Sequence, residues 1–502
     1  MKGNNRIKTQ EQKKLKIYDQ YNSLVKTRAF TLIMMIILLF CSYNFKANKI
    51  NTICALIAGI YILEFIFMAF SNAILKRSIL RTGSISKTIK LLGAIMTIFV
   101  LTGNVFAFLT GMLFISENKS IEYKLCGYMI LVNICIIMVS LVNLFKETVV
   151  DTFYIGIGIV SVFTVVYIVC TVIIEKNVTM NTFNKKIIWV CIPLVISLVT
   201  ANVFTLVLII ILIKRYYQKN QEITIQWVDI MRRLFKNETA VIGLLIVAFF
   251  LSLSFCSRLT FDYNLAIDNE YSKLLQSPSL QYPFGTDNYG RCVFTRIVFG
   301  ARISLLVGLG VTTYPMIIGG ILGALAGYYP GKVDNIVMRF LDILGAVPGL
   351  LLSIVIIAAL GASVPVMIFA IGVPGIGSYA RLVRASVMNL VDAEFIEAAK
   401  AYGAKDRVIV FKHVIPNSLS PIVVNATSAL GGAVLATSGL SYLGIGLPTH
   451  LPEWGNILRV GNTYLETHPY LAVYPGVAIV VLCLAFNFFG DGVRDALDPK
   501  LK

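Results

Sequence analysis

The stretch EFIEAAKAYGAKDRVIVFKHVIPN, from Glu394 to Asn417, is a polar, helix-forming segment between stretches that are apolar enough to lie in lipid. Apolar residues recur at helical spacing in its first half: Phe395, Ala398, Ala399 and Tyr402. This spacing predicts a helix with one apolar face. Gly403 suits the left-handed position that ends a helix, and a second helix from Asp406 must stop before Pro416. We expect a docking surface that the rest of the chain leaves uncovered; the alternative is a re-entrant cap packed on its own bundle.

The composition places the chain in a membrane. Of its 502 residues, 57% are hydrophobic and only 14% are charged, whereas soluble domains average about 25% charged residues. About twelve stretches are long and apolar enough to cross a bilayer as helices. They start near Ala29, Ile50, Leu91, Leu125, Thr152, Ile187, Ala240, Ile303, Ile336, Pro365, Leu419 and Leu471. The sequence therefore predicts an all-α polytopic membrane protein.

The net charge of +18 is distributed as in a membrane protein and does not indicate nucleic-acid binding. Cations cluster before the first span, after the second, after the sixth and beside the polar segment, whereas alternate loops such as Ser116 to Tyr123 are poorer in them. This asymmetry predicts a multi-pass protein of the cell membrane whose two termini and polar segment lie in the cytoplasm. The anionic inner leaflet is then the expected partner of the cations.

The chain changes character near Lys214. Upstream, about six spans with few glycines are joined by short loops. Downstream, glycine and proline are dense, as in Gly308 to Gly327 and Pro365 to Gly377. Small residues allow close helix contact, and interrupted helices are tolerated beside a water-filled cavity. The downstream half therefore indicates a translocation core, although tight static packing would produce the same composition.

The polar segment closely resembles the EAA loop of ATP-binding-cassette (ABC) importer permeases, which receives an ATPase subunit. Flanking motifs extend the resemblance in order: Tyr282-Pro-Phe-Gly-Thr-Asp-Asn-Tyr-Gly-Arg, Phe299-Gly-Ala-Arg-Ile-Ser-Leu, Met338-Arg-Phe-Leu-Asp, Leu440-Ser-Tyr-Leu-Gly-Ile-Gly and Phe486-Asn-Phe-Phe-Gly-Asp-Gly. Together they look like the C-type permease subunit of the dipeptide/oligopeptide/nickel importers. Departures from the family pattern are Cys292, Tyr329-Pro330, Lys405 and Thr437.

The resemblance implies a MetI-like core formed by the last six helices and a set of partners. The expected partners are a homologous second permease, two ABC ATPases, an extracytoplasmic substrate-binding protein and membrane lipid. Together with the spans and charges, it predicts four regions: 1–28 (cytoplasmic basic N-terminus), 29–214 (six-span extension of unknown role), 215–238 (amphipathic cytoplasmic linker) and 239–502 (permease core, with an external segment 258–290 and the EAA loop 392–415). The residues expected to couple to the ATPase are Glu397, Ala398, Ala399, Gly403, Ile409 and Pro416.

We expect this permease to import di- or oligopeptides, with nickel or a metal chelate as the alternative cargo. The chain has no phosphate-binding GxxxxGK[ST] motif, so it is not expected to be an enzyme or to bind a cofactor; ATP and Mg are expected on the ATPase partners. An ATP-independent secondary transporter and a membrane enzyme or sensor are the competing classes. A secondary transporter requires ionisable groups at mid-membrane. The membrane enzyme or sensor rests on His450, His468 and Glu453, a weak candidate for a metal site.

Glu64 lies deep in the second span of the extension. An intramembrane carboxylate is by default a functional candidate. Without a recognisable substrate path through the extension, a structural role is the favoured interpretation, with Glu64 paired or protonated at a helix interface.

Overall fold

The computed structural model describes residues 19–44, 49–50, 52–81, 87–116, 120–147, 149–179, 182–217 and 225–497. Most of the predicted basic N-terminus and the linker residues 218–224 lie outside this part of the chain. Two compact units are present. The first comprises 1–139, 159–198 and 203–217, and the second comprises 140–158, 199–202 and 218–502. Almost all of the described structure is helical, which confirms the all-α class.

The helices before the linker are α1 Asp19–Cys41, α2 Thr52–Arg81, α3 Lys87–Ile98, α4 Val105–Ile115, α5 Ile121–Leu141, α6 Phe153–Asn177, α7 Cys191–Ser197 and α8 Val203–Tyr217. Short 3₁₀ turns extend several of them, at Phe99–Thr102, Val142–Phe145, Lys185–Val190 and Leu198–Thr200. Two short antiparallel strands, β1 Tyr43–Asn44 and β2 Lys49–Ile50, pair Tyr43 with Ile50 and Asn44 with Lys49.

Helices α3 and α4 form a hairpin. The chain reverses at Gly103, whose φ of 86° only a glycine adopts without strain. The two helices touch backbone to backbone, because a Cβ at Gly93 would lie 2.8 Å from the Gly111 carbonyl oxygen. The Asn104 side chain caps α4 by accepting a hydrogen bond from the Ala107 N–H at 3.1 Å. The apolar stretch near Leu91 is therefore a pair of short helices that return to the side from which they started.

The segment from Lys185 to Tyr217 reverses in the same way. Its turn lies at Ala201, which has a positive φ of 51°. Near the end of α8, the Arg215 guanidinium donates to the Thr179 carbonyl oxygen at 3.2 Å and stacks on the Phe183 ring, 5.3 Å from its centroid. Because Thr179 and Phe183 precede the segment, its two ends lie side by side. This segment is a second hairpin, not a single span.

The two hairpins are copies of one sequence pattern. Lys87, Ile89, Thr102, Asn104, Val105 and Phe106 recur at a constant spacing as Lys185, Ile187, Thr200, Asn202, Val203 and Phe204. Two long helices precede each copy, α1 and α2 in the first and α5 and α6 in the second. The part of the chain before the linker is therefore a tandem repeat of two long helices followed by a hairpin.

The number of spans differs from the predicted twelve. Among the described residues, 9 helices are long and apolar enough to cross a membrane, or up to 10 if one bent pair is a single span. The stretches near Leu91 and Ile187 are each broken into a hairpin, which leaves ten, and the bent pair Lys332–Ala346 and Gly349–Leu360 accounts for the choice between nine and ten. Hydropathy measures the apolar length of a stretch and does not register a reversal of the chain inside it.

An ion pair closes one end of the first unit. The Glu122 carboxylate accepts a hydrogen bond from Arg215 at 2.6 Å. The start of α5 therefore lies beside the basic residues that end α8.

The second unit contains α9 Ile225–Leu234, α10 Glu238–Thr260, α11 Asn264–Ile267, α12 Val293–Tyr328, α13 Lys332–Ala346, α14 Gly349–Leu360, α15 Val364–Met388, α16 Glu394–Ala401, α17 Asp406–Val408, α18 Ile415–Asn417, α19 Leu419–Tyr442, α20 Trp454–Thr463 and α21 Tyr470–Leu497. Its largest fully buried side chain is Trp454, whose indole N–H donates to the Ile297 carbonyl oxygen at 2.9 Å. Leu482 and Phe486 of α21 pack in the same cluster, so α12, α20 and α21 share one core.

The predicted amphipathic linker helix is present as α9, over Ile225–Leu234. Its residues Ile230, Met231 and Leu234 pack with Ala240 and with residues of α21. This helix therefore packs against the start of α10 and the end of α21. Helices α13 and α14 are together long and apolar enough to cross a membrane, and they are bent by 84° at the break that contains Pro348.

The predicted external segment is a small irregular region held by buried charges. The Asp287 carboxylate accepts from the Arg291 side chain at 2.8 Å and from the Tyr289 N–H at 2.9 Å. Arg296, which is also buried, donates to the carbonyl oxygens of Ala266 and Thr449. In the part of the second unit between 140 and 158, Lys146 donates to Thr295 Oγ1 at 2.7 Å, and burial lowers the pKa of its ammonium.

Candidate coupling site

The polar segment is built on one buried side of a short helix. In α16, Ile396 is fully buried against the ends of α12 and α15, in a cluster with Tyr328, Tyr379 and Val387. Glu394 and Glu397 lie in the first turn of α16, where the positive end of the helix dipole favours carboxylates. The helix is thus attached to two long helices by an apolar anchor and turns its charged residues outward.

Gly403 ends α16 as the sequence predicts. Its φ is 77°, in the left-handed region. The Gly403 N–H donates to the Lys400 carbonyl oxygen at 2.9 Å, and the next N–H, of Ala404, reaches back to Ala399 at 3.1 Å. A Cβ added at Gly403 would meet nothing within 4 Å. The turn therefore needs glycine for its backbone conformation, while the space beside it is open.

The second helix was predicted to stop before Pro416, but the backbone remains helical through that residue. After α17 the chain winds as a π-helix over Ile409–Val414 and continues into α18, which contains Pro416. Pro416 has no N–H to bond the carbonyl four residues earlier. It sits at the start of a new helical segment, where that N–H is not needed. Wide π turns frequently occur at functional sites.

Polar contacts hold this second helix to the end of α12. Asp406 accepts hydrogen bonds from the hydroxyls of Tyr328 at 2.9 Å and Tyr329 at 3.4 Å. The Lys400 ammonium lies over the Tyr328 ring, 5.8 Å from its centroid. Partial burial and the Asp406 carboxylate raise the pKa of Tyr329, so its phenol is neutral and can donate. The sequence analysis did not identify these tyrosines as contacts of the segment. The available signal is the Tyr-Tyr pair at the end of an apolar helix, because Tyr is enriched where a spanning helix leaves the bilayer.

The side of the segment opposite the anchor is exposed and apolar. Tyr402 is 93% exposed, Phe411 is 55% exposed and Phe395 is 41% exposed. Of the predicted coupling residues, Glu397, Ala398, Gly403 and Pro416 are exposed, Ala399 is half-buried and Ile409 is fully buried. The described chain therefore leaves an apolar edge uncovered beside Glu397 and Ala398, while Ile409 belongs to the anchor. We call Phe395, Ala398, Tyr402 and Phe411 the exposed edge.

Two ion pairs join α13 to α15 near this segment. Arg384 binds Asp334 through two contacts of 2.6 Å, with both side chains partly covered. Arg381 and Asp342 lie 3.4 Å apart, with 51% and 67% of their side chains exposed. Charges on spanning helices face protein or water rather than lipid. The surface around Arg381 and Asp342 is therefore one that lipid does not cover.

The loop that contains His450 and His468 has a different arrangement from the one that a metal would need. Both carboxylate oxygens of Glu453 cap α20, accepting from the N–H groups of Gly455 and Asn456 at 3.0 Å. The His468 imidazole contacts the Thr467 hydroxyl at 2.9 Å. Within the described ranges, no group of three His, Cys, Asp or Glu side chains is arranged to hold a metal ion. Cys292 and Thr437, two departures from the family pattern, are buried.

The fold and the site define the class: a polytopic membrane subunit of a transport system. Comparison with known proteins identifies the family. Residues 319–502 match the family described as "Binding-protein-dependent transport system inner membrane component", and residues 226–278 match "N-terminal TM domain of oligopeptide transport permease C". The chain belongs to this family of ABC importer permeases, and the resemblance is confirmed. Neither match includes a residue before 226.

Curated relatives match at substantial identity. The chain is 42% identical over 276 residues to the dipeptide transport system permease protein DppC of Alkalihalophilus pseudofirmus, which covers 55% of this chain and 90% of that protein. It is 37% identical over 284 residues to the glutathione transport system permease protein GsiD of Pectobacterium atrosepticum, covering 57% of this chain and 94% of that protein. The GsiD protein of Escherichia coli is 38% identical over the same length. All three are transport permeases.

Proposed function

We propose that this chain is the permease subunit of an ATP-driven importer of di- or oligopeptides, and that its Glu394–Asn417 segment receives an ATPase subunit. The exposed edge carries the proposal, because an uncovered apolar surface on a polar protrusion marks a protein contact. ATP and Mg are held by separate ATPases, and this chain is not itself an enzyme. An extracytoplasmic binding protein delivers the substrate to this subunit. The subunit crosses the cell membrane several times, and both of its termini lie in the cytoplasm.

The geometry supports a rigid-body coupling mechanism. Ile396 and Ile409 fix the segment to the ends of α12 and α15, and Asp406 ties it to Tyr328. A partner that moves the exposed edge would therefore move two long helices with it. Small shifts at such an attachment are amplified because packed helices change position as units. ATPase closure would tilt α12 and α15 and alternate access to the path.

A second homologous permease completes the path in this proposal. The Arg381–Asp342 pair is exposed on two helices of the predicted membrane core, so it faces a protein partner or an aqueous cavity. Helix α13 also exposes Ile336, Phe340 and Ile343 beside Asp342. A surface that carries both a charged pair and exposed apolar side chains fits an interface between two permeases that enclose a water-filled path.

The substrate class rests on the relatives. One is a dipeptide permease and others are glutathione permeases, and glutathione is itself a tripeptide. Peptide cargo is therefore the favoured class for this chain. Nickel or a metal chelate stays the alternative, since the family resemblance includes such importers.

Purification from native membranes tests the proposal. The tagged full-length chain should bring with it two ATPases, a second permease and a binding protein, identified by mass spectrometry. The Tyr402→Ala, Phe395→Ala double variant should keep the second permease and lose the ATPases. Tyr271→Ala, which removes an aromatic residue 68% exposed in the external segment, is the matched control. ATPase recovery that is equal in all three samples would contradict the docking site.

The binding protein in the same preparation tests the substrate. Native mass spectrometry of that protein should show a bound peptide that is displaced by added di- or oligopeptides. A bound nickel ion or chelate would replace the peptide assignment while leaving the coupling site unaffected. Uptake driven by a proton gradient in vesicles that contain this chain alone would instead support the secondary-transporter class.

A further inference from the structure

Glu64 is a fully enclosed carboxyl group at the tip of the first hairpin. It lies near the middle of the span Cys54–Leu80, and only 1% of the residue is exposed. Its Oε2 accepts a hydrogen bond from Asn104 Nδ2 at 2.8 Å, and its Oε1 contacts the Thr102 hydroxyl. Thr102 and Asn104 flank Gly103, the residue at which the hairpin reverses.

No charged group faces Glu64 from the helices around it, among the residues that the structure describes. The group contributed by α1 is the Thr31 hydroxyl, which accepts from Asn104 at 3.0 Å. The hairpin contributes Thr102 and Asn104. The titratable neighbour is Tyr61 on the same helix, whose hydroxyl donates to the Thr102 carbonyl oxygen at 3.3 Å. An ionised carboxylate here would lack a cation in a site closed to water, which is strongly unfavourable.

Counting hydrogens at Thr102 gives an independent indication. The Thr102 hydroxyl has one hydrogen but contacts two oxygens, the Phe99 carbonyl oxygen at 2.6 Å and Glu64 Oε1. A carbonyl oxygen carries no hydrogen, so the hydroxyl must donate to Phe99 for that contact to be a bond. The contact with Oε1 is then a hydrogen bond only if Glu64 supplies the hydrogen. All the contacts are satisfied when Glu64 is a neutral carboxylic acid.

The remaining groups agree with this assignment. Asn104 Nδ2 has two hydrogens, and they go to Thr31 and to Glu64 Oε2. Asn104 Oδ1 accepts from the Ala107 N–H, which fixes the orientation of the amide. Oε2 is therefore the acceptor and Oε1 the donor of the acid. In the second repeat the tip residues recur as Thr200 and Asn202, but the position of Glu64 is taken by Val162.

We propose that the first repeat of the extension contains a buried proton-binding site, Glu64, whose bound proton holds the tip of the first hairpin to α2. When the proton leaves, the two contacts at Thr102 can no longer both be hydrogen bonds, and a lone carboxylate is left in the site. Proton release and withdrawal of the hairpin tip are therefore coupled. The ligand is a proton, and the proposal does not depend on the substrate or on the ATPase partners.

Infrared difference spectroscopy on the full-length protein in lipid nanodiscs tests the protonation state. The wild-type spectrum minus that of Glu64→Gln at neutral pH should contain the carbonyl band of a carboxylic acid. Other buried acids, such as Glu453, cancel in the difference. Carboxylate bands in place of that carbonyl band would overturn the proposal. Carboxylate bands that change when sodium replaces choline would assign the site to a cation instead.

Hydrogen exchange across a pH series tests the coupling. After correction for intrinsic exchange, opening at residues 99–104 in the wild type should increase by about tenfold per pH unit over the range in which the enclosed acid is still protonated but an exposed carboxyl is ionised, because each opening then releases one proton. It should level off at the pH at which the infrared acid band disappears. Glu64→Gln is the matched control, because its amide supplies the hydrogen that the acid supplies. Its opening should not vary with pH. A wild type whose opening is equally independent of pH below the range in which the infrared acid band disappears would contradict the latch.

Discussion

The Glu394–Asn417 segment and the tip of the first hairpin are both polar breaks in an apolar chain. The hairpin tip encloses its polar groups, whereas the Glu394–Asn417 segment exposes its aromatic groups. At the hairpin tip, the Glu64 carboxyl contacts both Thr102 and Asn104; Glu64 and Asn104 are buried, and Thr102 is half-buried. At the coupling segment, Tyr402 is almost fully exposed and Phe395 is partly exposed. The first arrangement is complete within the chain, whereas the second requires a partner.

This difference separates the two functions proposed here. A surface that needs a partner should lose activity when its shape changes, with little loss of folding stability. A site that is complete within the chain should lose stability when a group is removed, with the ATPase still attached. Variants at the two places can therefore be distinguished by which of the two quantities changes.

The largest expected effect is at Gly403. Gly403→Asp or Gly403→Val should reduce ATP-driven uptake to background, because a side chain would occupy the open space beside the exposed edge and strain a backbone with φ of 77°. Insertion in the membrane should be unchanged. The measurement is peptide uptake by proteoliposomes that contain the complete importer, with quantification of the chain in each preparation.

Gly361→Ala is the control for backbone strain alone. Gly361 also has a positive φ, of 82°, with nothing within 4 Å of an added Cβ. The conformational cost is about 1–2 kcal/mol at Gly403 and about 1–3 kcal/mol at Gly361, whose ψ is 156°, so the control carries at least as much backbone strain. Wild-type uptake by Gly403→Asp, or an equal loss in Gly361→Ala, would remove the special role of the coupling turn.

Next in size is truncation of Glu64. Glu64→Ala should lower the free energy of unfolding by about 3 kcal/mol, because it leaves a cavity and removes the partners of Thr102 and Asn104. Glu64→Gln should cost less than about 1 kcal/mol, since it keeps both hydrogen bonds. Thermal unfolding in detergent measures both. Equal destabilisation by the two variants would contradict a neutral acid at this position.

A smaller effect is expected at the ion pair between α13 and α15. Arg384→Met should destabilise the protein by about 1–2 kcal/mol, because Asp334 would lose both of its short contacts while partly covered. Asp334→Asn in the same background should recover part of this loss. A double-mutant cycle in thermal unfolding gives the coupling between them, and a coupling near zero would show that the pair contributes nothing measurable.

The smallest effect is expected at Tyr328. Tyr328→Phe removes the hydroxyl that donates to Asp406 and leaves the ring that packs with Ile396. The loss of stability should be below about 1 kcal/mol. Uptake per ATP hydrolysed should fall modestly, because the segment is held less firmly to α12. An unchanged ratio of uptake to hydrolysis would indicate that the apolar anchor alone transmits the movement.

Much of the coupling site could be predicted from sequence, because local rules determine it. Helical spacing gave α16, and the need for a left-handed residue gave Gly403. The continuation through Pro416 could not be predicted, since a π-helix depends on packing of Ile409 and Val414 beneath it. The contacts of Asp406 with Tyr328 join residues far apart in sequence, and no local pattern specifies them.

The extension was predicted less well, for a different physical reason. Hydropathy found the apolar stretches near Leu91 and Ile187 but could not show that each one reverses at its centre. The signal that was available is the repetition of Thr102 and Asn104 as Thr200 and Asn202, since a polar pair in an apolar stretch caps a helix that starts there. Glu64 was identified as a candidate, but its partners became visible only when the hairpin brought them together.

The central claim is that the exposed edge contacts an ATPase. Site-specific photo-crosslinking at position 402, in the complete importer in native membranes, tests it most directly. We predict a crosslinked product that contains this chain and an ATPase subunit, with a yield that changes when ATP is added. The same crosslinker at position 271 in the external segment should not capture the ATPase. Crosslinks from position 402 only to lipid or to this chain itself would contradict the account.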